Sequence, residues 1–115
     1  MEKSDAVAAL AALAQDNRLD VFRLLVQAGP EGMSAGRVAE TLGLAPNTLT
    51  FHFDRLRVAG LVSVRRDGRS MIYAARYEAM NGLIAFLTEN CCQGAPCTPA
   101  AECMPVRSRR ARVSA

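Results

Sequence analysis

The tightest constraint in this sequence is the stretch Gly43-Leu44-Ala45-Pro46, set between two apolar-periodic segments. Val38, Ala39 and Leu42 mark the inner side of a short helix that Ser34 opens, and Gly43 stops it. Pro46 starts another helix, because the fixed φ of proline suits the first helical position. Leu49, Phe53 and Leu56 form its inner stripe, and Gly60 ends it. The period then changes from helical to extended. Leu61 to Arg66 reads as a strand, Asp67-Gly68 as a two-residue hairpin turn, and Ser70 to Ala74 as the return strand.

Other segments complete the frame. Ser4 can cap a first helix whose apolar face is Val7, Leu10 and Leu13. Asp16 can cap a second, with Leu19, Phe22, Leu25 and Val26 inward and Gly29-Pro30 as its stop. A fifth helix is expected from about Arg76 to Asn90, on the spacing Tyr77, Met80, Ile84 and Leu87, widened by Leu83. Beyond Asn90, Gly94, Pro96, Pro99 and Pro105 rule out a long helix. At 115 residues the chain is long enough for one core. The expectation is a mostly α domain over residues 1–90, with five helices and one two-stranded wing. A cysteine-bearing, Arg-rich flexible tail follows over residues 91–115. Two helices meeting at a glycine turn, followed at once by a hairpin, have the order of a winged helix-turn-helix.

Charge is consistent with that reading. Residues 1–90 carry equal numbers of basic and acidic side chains. Within residues 34–76, however, seven arginines (Arg37, Arg55, Arg57, Arg65, Arg66, Arg69, Arg76) face three carboxylates, as phosphate binding requires. On the second helix of the pair, Asn47, Thr48, Thr50 and Phe51 lie outward: Asn can read adenine, and Thr can bond to a base or touch a thymine methyl. Arg55 and Arg57 could reach phosphates, and Arg69 at the hairpin tip the backbone or minor groove. His52 reads first as a packing or hydrogen-bonding residue, with a phosphate contact open to it. The same element order also occurs in interaction modules that never touch DNA. No paired carboxylates, nucleophile–base pair or cofactor loop points to an enzyme. No apolar run is long enough to span a bilayer and no signal peptide is evident, so a cytoplasmic protein without a membrane partner is expected.

Three stretches carry a family resemblance. They are Arg18-Leu19-Asp20-Val21-Phe22-Arg23-Leu24-Leu25, then Val38-Ala39-Glu40-Thr41-Leu42-Gly43-Leu44, then Thr48 through Val62 with Phe51-His52-Phe53-Asp54-Arg55-Leu56 at its centre. Together with Arg65-Arg66-Asp67-Gly68-Arg69-Ser70-Met71-Ile72-Tyr73, they resemble the ArsR family of metal- and metalloid-responsive repressors over roughly residues 5–90. The resemblance implies a homodimer built from the first and last helices, here Val7, Leu10, Met80, Leu83, Ile84 and Leu87. It also implies double-stranded operator DNA as the partner and release by an inducer.

The inducer site moves between family members and is read here residue by residue. The Cys-x-Cys pair that some members place at the third helix is missing from Met33-Ser34-Ala35-Gly36-Arg37-Val38, and the last helix has no histidine for a zinc site. What remains is Cys91-Cys92-Gln93-Gly94-Ala95-Pro96-Cys97, which resembles the arsenite-responsive members. Trivalent arsenic, like antimony, takes three thiolates in a pyramid, and soft thiolates select soft ions. Adjacent cysteines diverge on a regular helix, so a frayed helix end at Gly94 and Pro96 would let both reach one centre. Cys103 could replace Cys97, support a four-sulfur site, or stand by; shorter loop closure favours Cys97. The same thiols could instead form a structural zinc site, act as a redox switch in a thiol-responsive repressor, or do nothing. Cys103 and Arg109 have a phosphatase-like Cys-x5-Arg spacing, but no glycine-rich phosphate loop surrounds them.

Overall fold

The computed structural model describes residues 1–94. Helices α1 (Lys3–Leu13) and α2 (Asp16–Ala28) precede a two-residue strand, β1 (Met33–Ser34). The helix pair follows as α3 (Ala35–Leu42) and α4 (Pro46–Val58), then the hairpin β2 (Val62–Asp67) and β3 (Ser70–Ala75), and last α5 (Tyr77–Leu87). This is a winged helix-turn-helix. The wing is three-stranded rather than two-stranded, with antiparallel order β1-β3-β2. β1 pairs Met33 with Tyr73 and Ser34 with Ile72. So short a strand leaves no alternating pattern to read in a sequence.

The punctuation of the central helices follows from their chemistry. Ser34 Oγ accepts the Arg37 N–H at 3.2 Å and caps α3. Gly43 closes α3 in the left-handed conformation at φ 67°, and Pro46 opens α4 at its first turn. At the other end of α4, Gly60 N–H bonds to Arg57 O at 2.9 Å and Leu61 N–H to Leu56 O at 3.0 Å. That is the Schellman pattern, with Gly60 at φ 80° supplying the positive φ. It turns the chain straight from the helix into β2.

Several local expectations shift. α1 begins at Lys3 after Glu2, so Ser4 lies within the helix, and Gln15 rather than Asp16 caps α2 by accepting the Arg18 N–H at 2.9 Å. The inner face of α1 is Ala6, Ala9 and Ala12, whose small side chains allow close helix approach, while Val7 and Leu10 point outward. On α2, Val21 takes the buried place expected of Leu19, which is exposed. The hairpin loop is Gly68-Arg69, one residue later than Asp67-Gly68, because Asp67 pairs with Ser70 across the ladder. Only Gly68 of the two has a positive φ, 63°, as a type II′ turn requires. α5 stops at Leu87, short of Asn90.

One core joins these elements: the α1 alanines, Val21, Phe22 and Leu25, Val38, then Leu49, Phe53 and Leu56 of α4, with Leu61, Val62, Ala75 and Leu83. Burial of a large apolar side chain is worth about 1.5–3 kcal/mol, so α4 is held chiefly through its three inner residues. The wing is tied to the same helix. Phe53 stacks on Tyr73 with ring centroids 3.6 Å apart and planes 2° off parallel. Arg65 Nη1 donates to Glu31 O at 3.0 Å, and Arg76 N–H to Leu61 O at 2.8 Å. Tyr77 Oη donates to Val26 O at 2.9 Å and docks the start of α5 on α2.

Candidate nucleic-acid interface

With Leu49, Phe53 and Leu56 facing inward, the 3.6-residue period of α4 turns Asn47, Thr48, Thr50, Phe51, Asp54, Arg55 and Val58 to the outside, and all are exposed. Thr50 Oγ1 donates to Pro46 O at 2.9 Å, so its hydroxyl is left as an acceptor. Arg55 lies with its guanidinium carbon 5.5 Å from the centroid of the Phe51 ring, a cation–π arrangement on consecutive turns. Arg57 is taken up by Asp54, Nη2 to Oδ1 at 2.7 Å, on the open surface. This pair leaves Arg57 less free for a phosphate than its sequence position suggests.

His52 is corrected. It is only 5% exposed, and neither ring nitrogen has a hydrogen-bond partner. It sits at the border between the inner and outer faces of α4 and is turned into the protein, so it does not present itself to a groove in this structure. Burial lowers its pKa, and the Arg18 guanidinium lowers it further, both favouring the neutral imidazole. That agrees with the packing reading and removes the phosphate contact. Its other expected part, a hydrogen bond, is not made.

The wing presents Arg65, Arg66 and Arg69, all exposed. Arg69 occupies the second position of the loop, beside Gly68, at the most projecting point of the hairpin. Among the described residues the two ion pairs are Arg57–Asp54 and Arg76–Glu78. The second holds the Glu78 carboxyl below its usual range through a hydrogen bond from Arg76. Arg37, Arg55, Arg66 and Arg69 are in neither pair, so the helix pair and wing keep an exposed cationic surface. A long basic side chain without a carboxylate partner is suited to phosphate.

The thiol segment starts three residues after α5. Cys91 is half-buried and Cys92 exposed. Asn90, Cys92 and Gln93 lie in the left-handed region at φ 58°, 56° and 57°. The chain thus leaves the right-handed path of α5 in a short 3-10 turn, Cys91–Gly94, that carries both cysteines. Cys97 and Cys103, and the basic run from Arg107 to Arg112, fall outside the described residues.

A family model described as a helix-turn-helix domain matches residues 13–65, which span α2 to the middle of β2. The HTH-type transcriptional regulator YgaV of Escherichia coli (strain K12) is 33% identical over 87 residues, covering 76% of this chain and 86% of that protein. An ArsR-like transcriptional regulator from Rhodococcus sp. RHA1 superposes with a TM-score of 0.65 at 25% identity, over 73% of this chain and 76% of its own. The chain belongs to the ArsR-like winged helix-turn-helix transcriptional regulators. These ArsR-like relatives are regulators, not enzymes. A more distant fold neighbour is the DNA-binding domain Mb0332 from Mycobacterium bovis, described as homodimeric (TM-score 0.61, 21% identity, 80% of this chain and 85% of that one). No helix among the described residues is long and apolar enough to cross a membrane.

Of the apolar residues that the ArsR resemblance assigns to a dimer, Val7 (57%), Leu10 (43%), Ile84 (49%) and Leu87 (59%) are exposed on α1 and α5. Met80 is half-buried. Leu83, at 7%, is corrected: it is spent in the core of its own protomer, as part of the same buried cluster as Leu61 and Val62, while Ile84 and Leu87 stay exposed. Sequence reasoning missed Tyr73 and Glu31, which brace the wing against α4 and the β1 approach. Neither carries a local signal, since a ring stack and a main-chain acceptor depend on residues distant in sequence.

Proposed function

We propose that this regulator is an arsenic-responsive repressor that binds operator DNA as a homodimer in the cytoplasm and is released when trivalent arsenic or antimony binds its cysteine thiolates. The observation that carries the DNA half is the exposed outer face of α4, flanked by arginines free of carboxylate partners. The outward apolar side chains of α1 and α5 support a dimer, as does the homodimeric fold neighbour. Two such protomers would set two α4 helices at successive major grooves of a pseudo-palindromic site.

The inducer half rests on the adjacent thiols Cys91 and Cys92 beyond the end of α5, with Cys97 as the third ligand and Cys103 in reserve. Arsenous acid would exchange each hydroxide for a thiolate: one As–S bond forms, one As–O bond breaks and one water leaves, with no change of oxidation state. The site lies at the end of a dimer helix and away from α4, so release must act through the arrangement of the two protomers. Couplings of this kind are about 1–3 kcal/mol, enough for a shift of 5- to 150-fold.

The test is a mobility shift of a duplex selected from a random pool, with reduced protein titrated in parallel with arsenite, antimonite, zinc and peroxide. Release by arsenite and antimonite is expected. Release by peroxide alone, reversed by thiol, would assign the cysteines to a redox switch instead. Failure to select any duplex would overturn the DNA-binding half.

A further inference from the structure

Phe51 stands out on α4. The helix buries its other large apolar side chains, apart from Val58 near its end, yet this ring is 55% exposed on the face that carries Asn47. At about 100° per residue, Phe51 lies roughly 40° around from Asn47 and one turn further on, near the centre of the outer stripe. The ring is also held. Arg55 covers it at 5.5 Å, and the buried His52 meets it edge-on with centroids 5.7 Å apart and planes at 63°. His52, at the border of the two faces, is turned into the protein and only 5% exposed. Of the two aromatic neighbours, one packs and the other is presented.

We propose that Phe51 is a specificity-determining residue, whose ring takes the C5-methyl group of a thymine in the major groove and orients Arg55 beside it. This rests on the reading of α4 as the DNA-reading helix. The occupant follows from charge and shape. Arg55 over the ring makes its surroundings cationic, which matches a phosphate-lined groove. Thymine is the one base that offers an apolar group there. A ring in contact with the buried His52 imidazole and the Arg55 guanidinium has less rotamer freedom to lose on contact than a free one. The guanidinium held over it can fork to a guanine or seat on the adjacent phosphate.

The experiment starts from duplexes selected by the full-length protein from a random pool. Each thymine of the enriched site is then replaced by deoxyuridine, which removes only the methyl group. At one thymine per half-site the wild type should lose about fourfold in affinity, and about fifteenfold when both half-sites are changed, the worth of one buried methyl each. Phe51→Ala and Phe51→Gln should bind the thymine and deoxyuridine duplexes alike, and should enrich sites in which that thymine is no longer required. Ring exposure makes both variants expected to melt like wild type, and the deoxyuridine scan of the wild type needs neither variant. A wild type that enriches a sequence but is indifferent to deoxyuridine at every thymine overturns the proposal and leaves α4 as the reading helix. So does a Phe51→Ala protein that keeps the same methyl sensitivity. A wild type that enriches no sequence overturns both.

Discussion

Replacing Arg69 by alanine isolates what the wing contributes. Arg69 is exposed, sits in the two-residue loop and takes part in neither ion pair among the described residues. Its removal should therefore leave the melting temperature unchanged. Each phosphate neutralised by a protein cation adds about 0.9 to the slope of log affinity against log salt. A homodimer has two wings, so the variant's slope should be shallower by about 1.8. Between 50 and 200 mM salt, the variant should then lose roughly twelvefold less affinity than wild type. Fluorescence anisotropy of a labelled duplex, titrated at four or five salt concentrations, reads this directly. Arg69→Lys should keep the wild-type slope, because phosphate contact needs only the charge. An Arg69→Ala slope equal to wild type would show that the wing tip does not touch phosphate.

Other consequences follow from the interior. His52 is buried with its pKa below the ordinary 6.5, so between the two values the unfolded chain binds more protons than the folded one. The stability contribution of neutral His52 is present above 6.5 and is lost as pH falls below it, with a slope of at most about 1.4 kcal/mol per pH unit. His52→Leu should flatten that acid limb in urea melts, and an unaltered pH profile would count against the burial argument. At Gly32, where φ is 79°, an added Cβ would clash with the Tyr73 carbonyl oxygen. Gly32→Ala should detach β1 from β3 and lower the melting temperature by at least about 4–8 °C per kcal/mol of strain, with about 1–2 kcal/mol coming from φ alone. A melting curve like wild type would mean that β1 is not held as described.

The parts of the fold that were legible from sequence are those set by local chemistry. Gly43, Pro46 and Gly60 each act within a turn of their own position, and they ended or began helices where their backbone preferences require. Asp67-Gly68 signalled a hairpin correctly but not its frame, because the register is fixed by the pairing of Asp67 with Ser70 and not by the dipeptide. On α1 the sequence is ambiguous, because Val7, Leu10 and Leu13 have the same three-residue spacing as Ala6, Ala9 and Ala12. Spacing says which residues share a face, and only packing says which face turns inward. The outward set on α4 was legible because its inner stripe is strong. His52 was the exception, lying at the border of the two faces where a rotation of a few tens of degrees decides between solvent and core. The vicinal cysteines are plain in the sequence, and their chemistry belongs to the proposed function. Their exit from helical geometry shows only in the left-handed turn after α5.

The proposed regulation would join two separate places on the chain, α4 for binding DNA and the thiol pair for releasing it. The most direct test is anisotropy of the selected duplex bound to reduced protein, titrated with arsenite, for wild type, Cys91→Ser and Cys92→Ser. Equal DNA affinity is expected for all three before arsenite is added. Wild type should then release the duplex, while both variants stay bound. Release from the serine variants at the wild-type arsenite concentration, or loss of DNA binding by either variant before arsenite is added, would contradict it.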